Sequence, residues 1–154
     1  MAKPIPDGFR AVTPSLVLKD TQQAIEFYQR AFNAKLIDSF PSLDGKGIMH
    51  AVIQIGDSFI MMGDEMGPGK SAETLGGSPM SLFVYVADAD TTFNQALSAG
   101  ATVTMPVADM FWGDRCGNVK DPFGYEWMIG THKKDMSKEE IQEAAKEFFA
   151  QYAN

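Results

Sequence analysis

Two βαβββ modules in one α+β chain are predicted by three features: a repeated strand-then-helix opening, a repeated closing turn, and apolar spacing that alternates between strand and helix periods in the same order twice. Leu16-Val17-Leu18-Lys19-Asp20 leads into a helical pattern ending at Asn33-Ala34, and Phe83-Val84-Tyr85-Val86-Ala87-Asp88 leads into one ending at Gly100-Ala101. Strand-like segments follow each helix. Each unit closes on a turn, Ile55-Gly56-Asp57-Ser58 before Phe59 to Met62 and Asp121-Pro122-Phe123-Gly124 before Tyr125 to Ile129. One shared cavity is the expectation for units paired in this way.

The first strand spans Val12 to Leu18, where Pro14, Leu16 and Leu18 alternate with Thr13, Ser15 and Val17 and give it two distinct faces. Asp20 suits an N-cap, and Ala24, Ile25, Tyr28, Ala31 and Phe32 recur at helical spacing, so this stripe covers the Leu16 and Leu18 face. Ala34 to Phe40 and Met49 to Ile55 are the next strands, separated by a turn-rich Pro41 to Gly47, and Phe59 to Met62 is the fourth. Glu65 to Pro79, with four glycines and two prolines, lacks periodicity and forms the linker. In the second unit Leu82, Val84 and Val86 lie under a helix from Asp88 to Ala99, with Ser81, Phe83 and Tyr85 on the opposite face. Thr102 to Val107, Arg115 to Val119 and Tyr125 to Ile129 supply the remaining strands. Ser137 and Glu140 make a capping box, and Ile141, Ala145, Phe148 and Tyr152 form the apolar stripe of a terminal helix, read as docked, with a freely projecting helix as the alternative. The organisation is thus a single domain over 1–154, with module one at 10–65, a linker at 66–79, module two at 80–130 and a tail with its helix at 131–154.

Composition narrows the function. A chain of 154 residues that is 45% hydrophobic supports a core of its own. Thirteen basic against twenty acidic residues leave a net charge of -7 without a basic run, which argues against nucleic-acid and anionic-membrane partners and leaves a small-molecule ligand as the expected one. Cys116 is the only cysteine and has no internal disulfide partner. Met80 to Ala87 is too short to span a bilayer, and no charged-then-apolar leader precedes Pro4, so a cytoplasmic protein is expected.

Several motif-like stretches carry no chemistry. Gly67-Pro68-Gly69-Lys70-Ser71 ends like a phosphate-binding loop, but the first glycine of that motif falls on Asp64. No Gly-x-Gly-x-x-Gly opens either helix, and no nucleophile elbow is visible. His50 and His132 lack metal-ligand spacing, and His50 reads as a hydrogen-bonded strand residue or as a pocket residue. Asp64 and Glu65 beside Gly63 read as a solvated turn or as acid ligands.

The double βαβββ pattern, with Thr13 to Asp20, Ala24-Ile25-Glu26-Phe27-Tyr28, Phe111-Trp112-Gly113-Asp114-Arg115 and Asp121-Pro122-Phe123-Gly124, resembles the vicinal oxygen chelate superfamily of glyoxalase I, bleomycin-resistance proteins and extradiol dioxygenases. The nearer resemblance is to its PhnB-like branch. It implies a curved mixed sheet with helices on the outer face and a homodimer. Enzymes of the family hold a divalent metal through one residue near the start of the first strand and one in the last strand of each module. Those places fall on Thr13, Met61, Ser81 and Met128, and hydroxyl and thioether groups are poor donors for such metals, so no metal or other cofactor is expected.

What remains on the inward face is a pocket with apolar walls from Val17, Phe59, Met61, Phe83, Tyr85 and Met128 and hydroxyls from Thr13, Ser15 and Ser81, with filled core as the alternative. Trp112 and Arg115 are expected at its rim, where Arg115 holds an anionic ligand group. The alternative is a bulge locked by an Asp114-Arg115 network or by Arg115 with another acid. The expected function is metal-independent binding or sequestration of a small molecule, with turnover left open. The alternative is a metal-dependent lyase, isomerase or dioxygenase with an unusual ligand set such as His50, Glu126 and Asp64.

Overall fold

The computed structural model describes residues 1–153. Module one comprises β1 (Ser15–Leu18), α1 (Thr21–Phe32), β2 (Lys35–Pro41), β3 (Ile48–Ile55) and β4 (Ser58–Asp64). A short α2 (Ala72–Leu75) lies in the linker. Module two comprises β5 (Ser81–Tyr85), α3 (Ala89–Ala99), β6 (Thr102–Asp109), β7 (Asp114–Lys120) and β8 (Glu126–His132), and α4 (Lys138–Ala150) follows. Each module builds its own four-stranded sheet with the same order, β1-β4-β3-β2 and β5-β8-β7-β6, in which the outermost first strand runs parallel to the last. The predicted α+β duplication is therefore present, as two mixed sheets.

Local chemistry accounts for the repeat. Asp20 and Asp88 sit in extended conformation and accept hydrogen bonds from Gln23 and Thr91 N–H, which starts α1 and α3 at equivalent places. Leu16 pairs with Met62 and Val84 pairs with Ile129, so these four residues occupy matching positions under the helices. One face of each sheet is covered in this way. Its opposite face carries Ser15, Val17, Phe59 and Met61 in module one and Ser81, Phe83, Tyr85 and Met128 in module two.

One element differs from the sequence reading. The linker is ordered by Glu65, whose carboxylate accepts both the N–H and the hydroxyl of buried Ser71, and Ser71 in turn caps α2. Hydrogen bonds from Thr74 and Ser71 hold Glu65 at about 2. The terminal helix α4 has its predicted capping box but no buried residue, and it is held by Phe148 and Phe149 against Phe111. The sequence reading expects this helix to be docked; Ile141, Ala145 and Phe148 of its stripe are half-buried, and Phe148 is the member that meets Phe111. No helix among the described residues is long and apolar enough to cross a membrane.

The two modules are joined through an aromatic cluster. Tyr28 and Phe32 of α1 lie against Trp127 of β8, with ring centroids 5.3 and 4.7 Å apart, and Phe27 meets Phe123 edge-on. Asp121 sits beneath it. One carboxylate oxygen accepts the Tyr28 hydroxyl at 2.6 Å and Trp127 Nε1–H at 2.9 Å, while the other accepts the N–H groups of Phe123 and Tyr125. Burial pushes the Asp121 carboxyl upward and the four donors oppose that shift; burial and then Asp121 push Tyr28 well above the ordinary tyrosine range. Tyr28→Phe is expected to lower stability by about 1.5–3 kcal/mol, the usual worth of a hydrogen bond to a charged group. Urea unfolding with an unchanged slope checks it.

Candidate functional site

The residues at the superfamily's metal positions do not converge on a ligand set. Ser15 and Met61 are register neighbours on the uncovered face of the first sheet, and Phe83 and Met128 are neighbours on that of the second. Thr13 precedes β1 and donates to the Arg10 carbonyl at 2.9 Å. Ser81 opens β5 opposite Glu126. Hydroxyls and thioethers at Thr13, Ser81, Met61 and Met128 do not suit a hard divalent ion. The unusual set fares no better: Asp64 accepts Thr21 and Ile48 N–H at 2.8 and 2.9 Å, His50 lies in the first sheet stacked near Phe40, and Glu126 lies in the second. Among the described residues no group of three or more His, Cys, Asp or Glu is placed to hold a metal.

A crevice of about 760 Å³ lies between the modules. Of the predicted pocket residues, Thr13, Phe59, Phe83 and Tyr85 line it; Ser15, His50, Met61, Ser81, Trp112, Arg115 and Met128 do not. Its position follows from the packing of the modules. The free edge of β5 forms one wall, the β3–β4 turn with Ile60 another, and Thr91, Thr92 and Gln95 of α3 line the helix side, with Phe32 and Trp127 also contributing. The sequence reading missed these helix residues because it placed the cavity on the sheet face away from the helices. Its walls are mostly apolar, with a few hydroxyl and amide groups and the charged side chains of Arg10, Asp57 and Asp88.

Trp112 and Arg115 have other work. Arg115 Nε and Nη2 make a two-pronged contact with Asp90 of α3 at 2.6 and 2.8 Å, and Nη1 reaches Asp109 at 3.2 Å. It points to the helix-covered face, and Asp90 first and Asp109 second raise its already high pKa further. The rim placement predicted for Arg115 is corrected accordingly: the ion-pair alternative describes it, because β7 alternation puts Asp114 and Arg115 on opposite faces. Trp112 Nε1 donates instead to Asp114, which also receives the Tyr85 hydroxyl at 3.0 Å and faces His132 Nδ1 at 2.7 Å. Burial acts to raise Asp114, but the His132, Tyr85 and Trp112 contacts outweigh it and hold the carboxyl below its usual range. Gly113, at φ 100°, accepts the Lys133 and Lys134 N–H groups, so the Phe111 to Arg115 segment fastens the tail. Neighbouring Cys116 is buried, and burial followed by Asp114 pushes its thiol up, away from nucleophilic use.

With the fold and the crevice defined, the comparisons place the chain. It belongs to the Glyoxalase/Bleomycin resistance protein/Dioxygenase superfamily, whose family model matches residues 10–129. It is 39% identical over 139 residues to an uncharacterized protein of Mycobacterium tuberculosis H37Rv, covering 87% of this chain and 81% of that one. Among solved structures it is similar to TioX from Micromonospora sp. ML1, with TM-score 0.64 and 25% identity over 83% of this chain and 100% of that chain. It also shares its fold with a PhnB protein from Bacillus cereus, with TM-score 0.62 and 19% identity over 79% of this chain and 99% of that chain.

Two outcomes follow. Arg115→Lys is expected to lower the thermal midpoint and leave crevice binding unchanged, since a single ammonium cannot replace the fork held by Asp90. His132 is raised above the ordinary histidine value by Asp135 first and Asp114 second. Its contribution to stability is therefore fully present below the unfolded value of about 6.5 and is lost as pH rises through the higher folded value. His132→Gln should flatten that decline, as measured by thermal midpoints across neutral pH.

Proposed function

We propose that this protein is a metal-independent small-molecule-binding member of the superfamily, of its PhnB-like branch, acting in the cytoplasm by recognition or sequestration. The observation that carries the reading is the pairing of a 760 Å³ crevice with a donor-poor residue set at Thr13, Met61, Ser81 and Met128. A ligand enters between β5, the β3–β4 turn and α3, where Phe83, Thr92 and Trp127 meet it. The decisive measurement is native mass spectrometry of freshly purified protein together with elemental analysis. A retained organic molecule without stoichiometric metal is expected, and Thr92→Phe, which fills the crevice, should release it. About one equivalent of nickel, zinc, iron or manganese on the wild-type protein overturns the reading.

A homodimer completes the proposal. Phe83 is 42% and Tyr85 63% exposed on the uncovered face of the second sheet, Phe40 is 47% exposed on that of the first, and the α4 stripe has no sheet of its own to cover it. Association of two copies removes such surface from water. Light scattering is expected to give twice the 16.8 kDa chain mass; a monomer across a wide concentration range contradicts it.

A further inference from the structure

The duplication is asymmetric where the two modules touch, and the asymmetry leaves a strand edge open. Strand β1 and strand β5 are equivalent edge strands. On the β1 side, Tyr125 donates its hydroxyl to the Val17 carbonyl at 2.7 Å, and Phe123, Trp127, Phe27 and Tyr28 fill the space between helix and sheet. The cap and register equivalences map Tyr125 onto Ser58, Phe123 onto Gly56, Trp127 onto Ile60, and Phe27 and Tyr28 onto Gln95 and Ala96. All five replacements are smaller. The crevice is the space they leave, and Ser58 is too short to repeat the tyrosine contact with Tyr85, the counterpart of Val17.

The consequence is set by backbone alternation. Val86 N–H donates to the Gly130 carbonyl and the Val86 carbonyl accepts the Thr131 hydroxyl, so the main-chain groups of Leu82, Val84 and Val86 face β8. Those of Phe83 and Tyr85 face the other way, along the crevice, and no main-chain group among the described residues pairs with them. Gln95 adds a side-chain amide whose nitrogen is engaged by Arg30 and Asn33 carbonyl oxygens, leaving its oxygen as an acceptor.

We propose that the crevice takes an extended, amide-bearing ligand of peptide type, which adds to the free edge of β5 through the main-chain groups of Phe83 and Tyr85 and places an apolar side group between Ile60 and Trp127. The inference rests on the small-molecule reading above and names the ligand class for the same site. Main-chain pairing supplies the affinity and the alternate side groups supply the selection, as in strand addition generally. An apolar ligand without amides leaves the edge groups unpaired and forfeits that contribution.

The test uses the full chain and three probes: the blocked tetrapeptide N-acetyl-Thr-Leu-Thr-Leu-amide, its two alternating N-methylated forms, and the amide-free dye anilinonaphthalene sulfonate. The parent peptide is expected to slow hydrogen exchange at the Phe83 and Tyr85 amides. One N-methylated form, whose methyl groups face the edge, should bind at least about tenfold more weakly while the other binds like the parent. Ser58→Tyr, which restores the missing hydroxyl at an exposed turn, and Thr92→Phe should each weaken the peptide. If the dye binds and is expelled by Thr92→Phe while the peptide leaves both amides unprotected, or both methylated forms match the parent, the peptide class is wrong and the small-molecule reading stands. Protection of both amides before any probe is added, rising with protein concentration, shows that a second copy pairs with the edge and overturns the inference. If neither probe binds, the inference fails, and the retained-ligand measurement decides the broader reading independently.

Discussion

A single buried carboxylate organises the junction on which the molecule depends. Asp121 terminates the turn before β8 by accepting the Phe123 and Tyr125 N–H groups, and with its other oxygen it holds Tyr28 of module one and Trp127 of module two. A carboxylate at 4% exposure is costly unless its lone pairs are met, and here they are. The same residue thus shapes a local turn and ties two sheets together. Aromatic packing around it gains from the exclusion of water that the carboxylate also requires, so the polar and apolar parts of the junction reinforce each other.

The opposite side of the pseudo-repeat lacks every one of these parts, and the fold tolerates the gap because the first side is fully built. A cavity walled by Ile55, Ile60, Leu82 and Trp127 forfeits contacts that a filled core would make. Such a gap is destabilising by itself, which gives a physical reason to associate it with ligand binding: an occupant recovers the lost packing and adds its own stabilisation in proportion to its concentration over its dissociation constant. Filling by aromatic side chains on one side and openness on the other is how a duplicated scaffold obtains both rigidity and a site.

Much of the fold was legible in the sequence because its determinants are local. Asp20 and Asp88 announce helix starts, Leu16 and Leu18 alternate with Ser15 and Val17, and Ser137 with Glu140 marks α4. The site was less legible because it depends on pairings distant in sequence. Nothing adjacent to Arg115 tells that Asp90, rather than a ligand, receives its fork. Similarly, sequence parity separates Phe83 from Val84 but does not reveal that the edge of β5 faces α3 across an open space. The clue lay in the repeat itself: aligned position by position, Tyr28 and Trp127 meet Ala96 and Ile60, a loss of volume confined to one contact.

The partners of the acidic residues explain why a chain with net charge -7 gathers no metal-binding group of three or more His, Cys, Asp or Glu among its described residues. Asp64 is engaged by two backbone N–H groups that anchor α1 and β3, Glu65 by Ser71, Asp90 by Arg115, Asp114 by Tyr85, Trp112 and His132, and Asp121 by four donors. Each of these five carboxylates has lone pairs directed at donors within the protein. Recruiting one to a metal would release those donors, several of them buried, and the desolvation penalty would oppose the new bond. In this chain the scaffold uses its carboxylates to fasten turns, helix starts and the tail, and the proposed recognition falls to the crevice, which joins strand-edge amides, three threonine hydroxyls and an apolar wall to the charged groups of Arg10, Asp57 and Asp88.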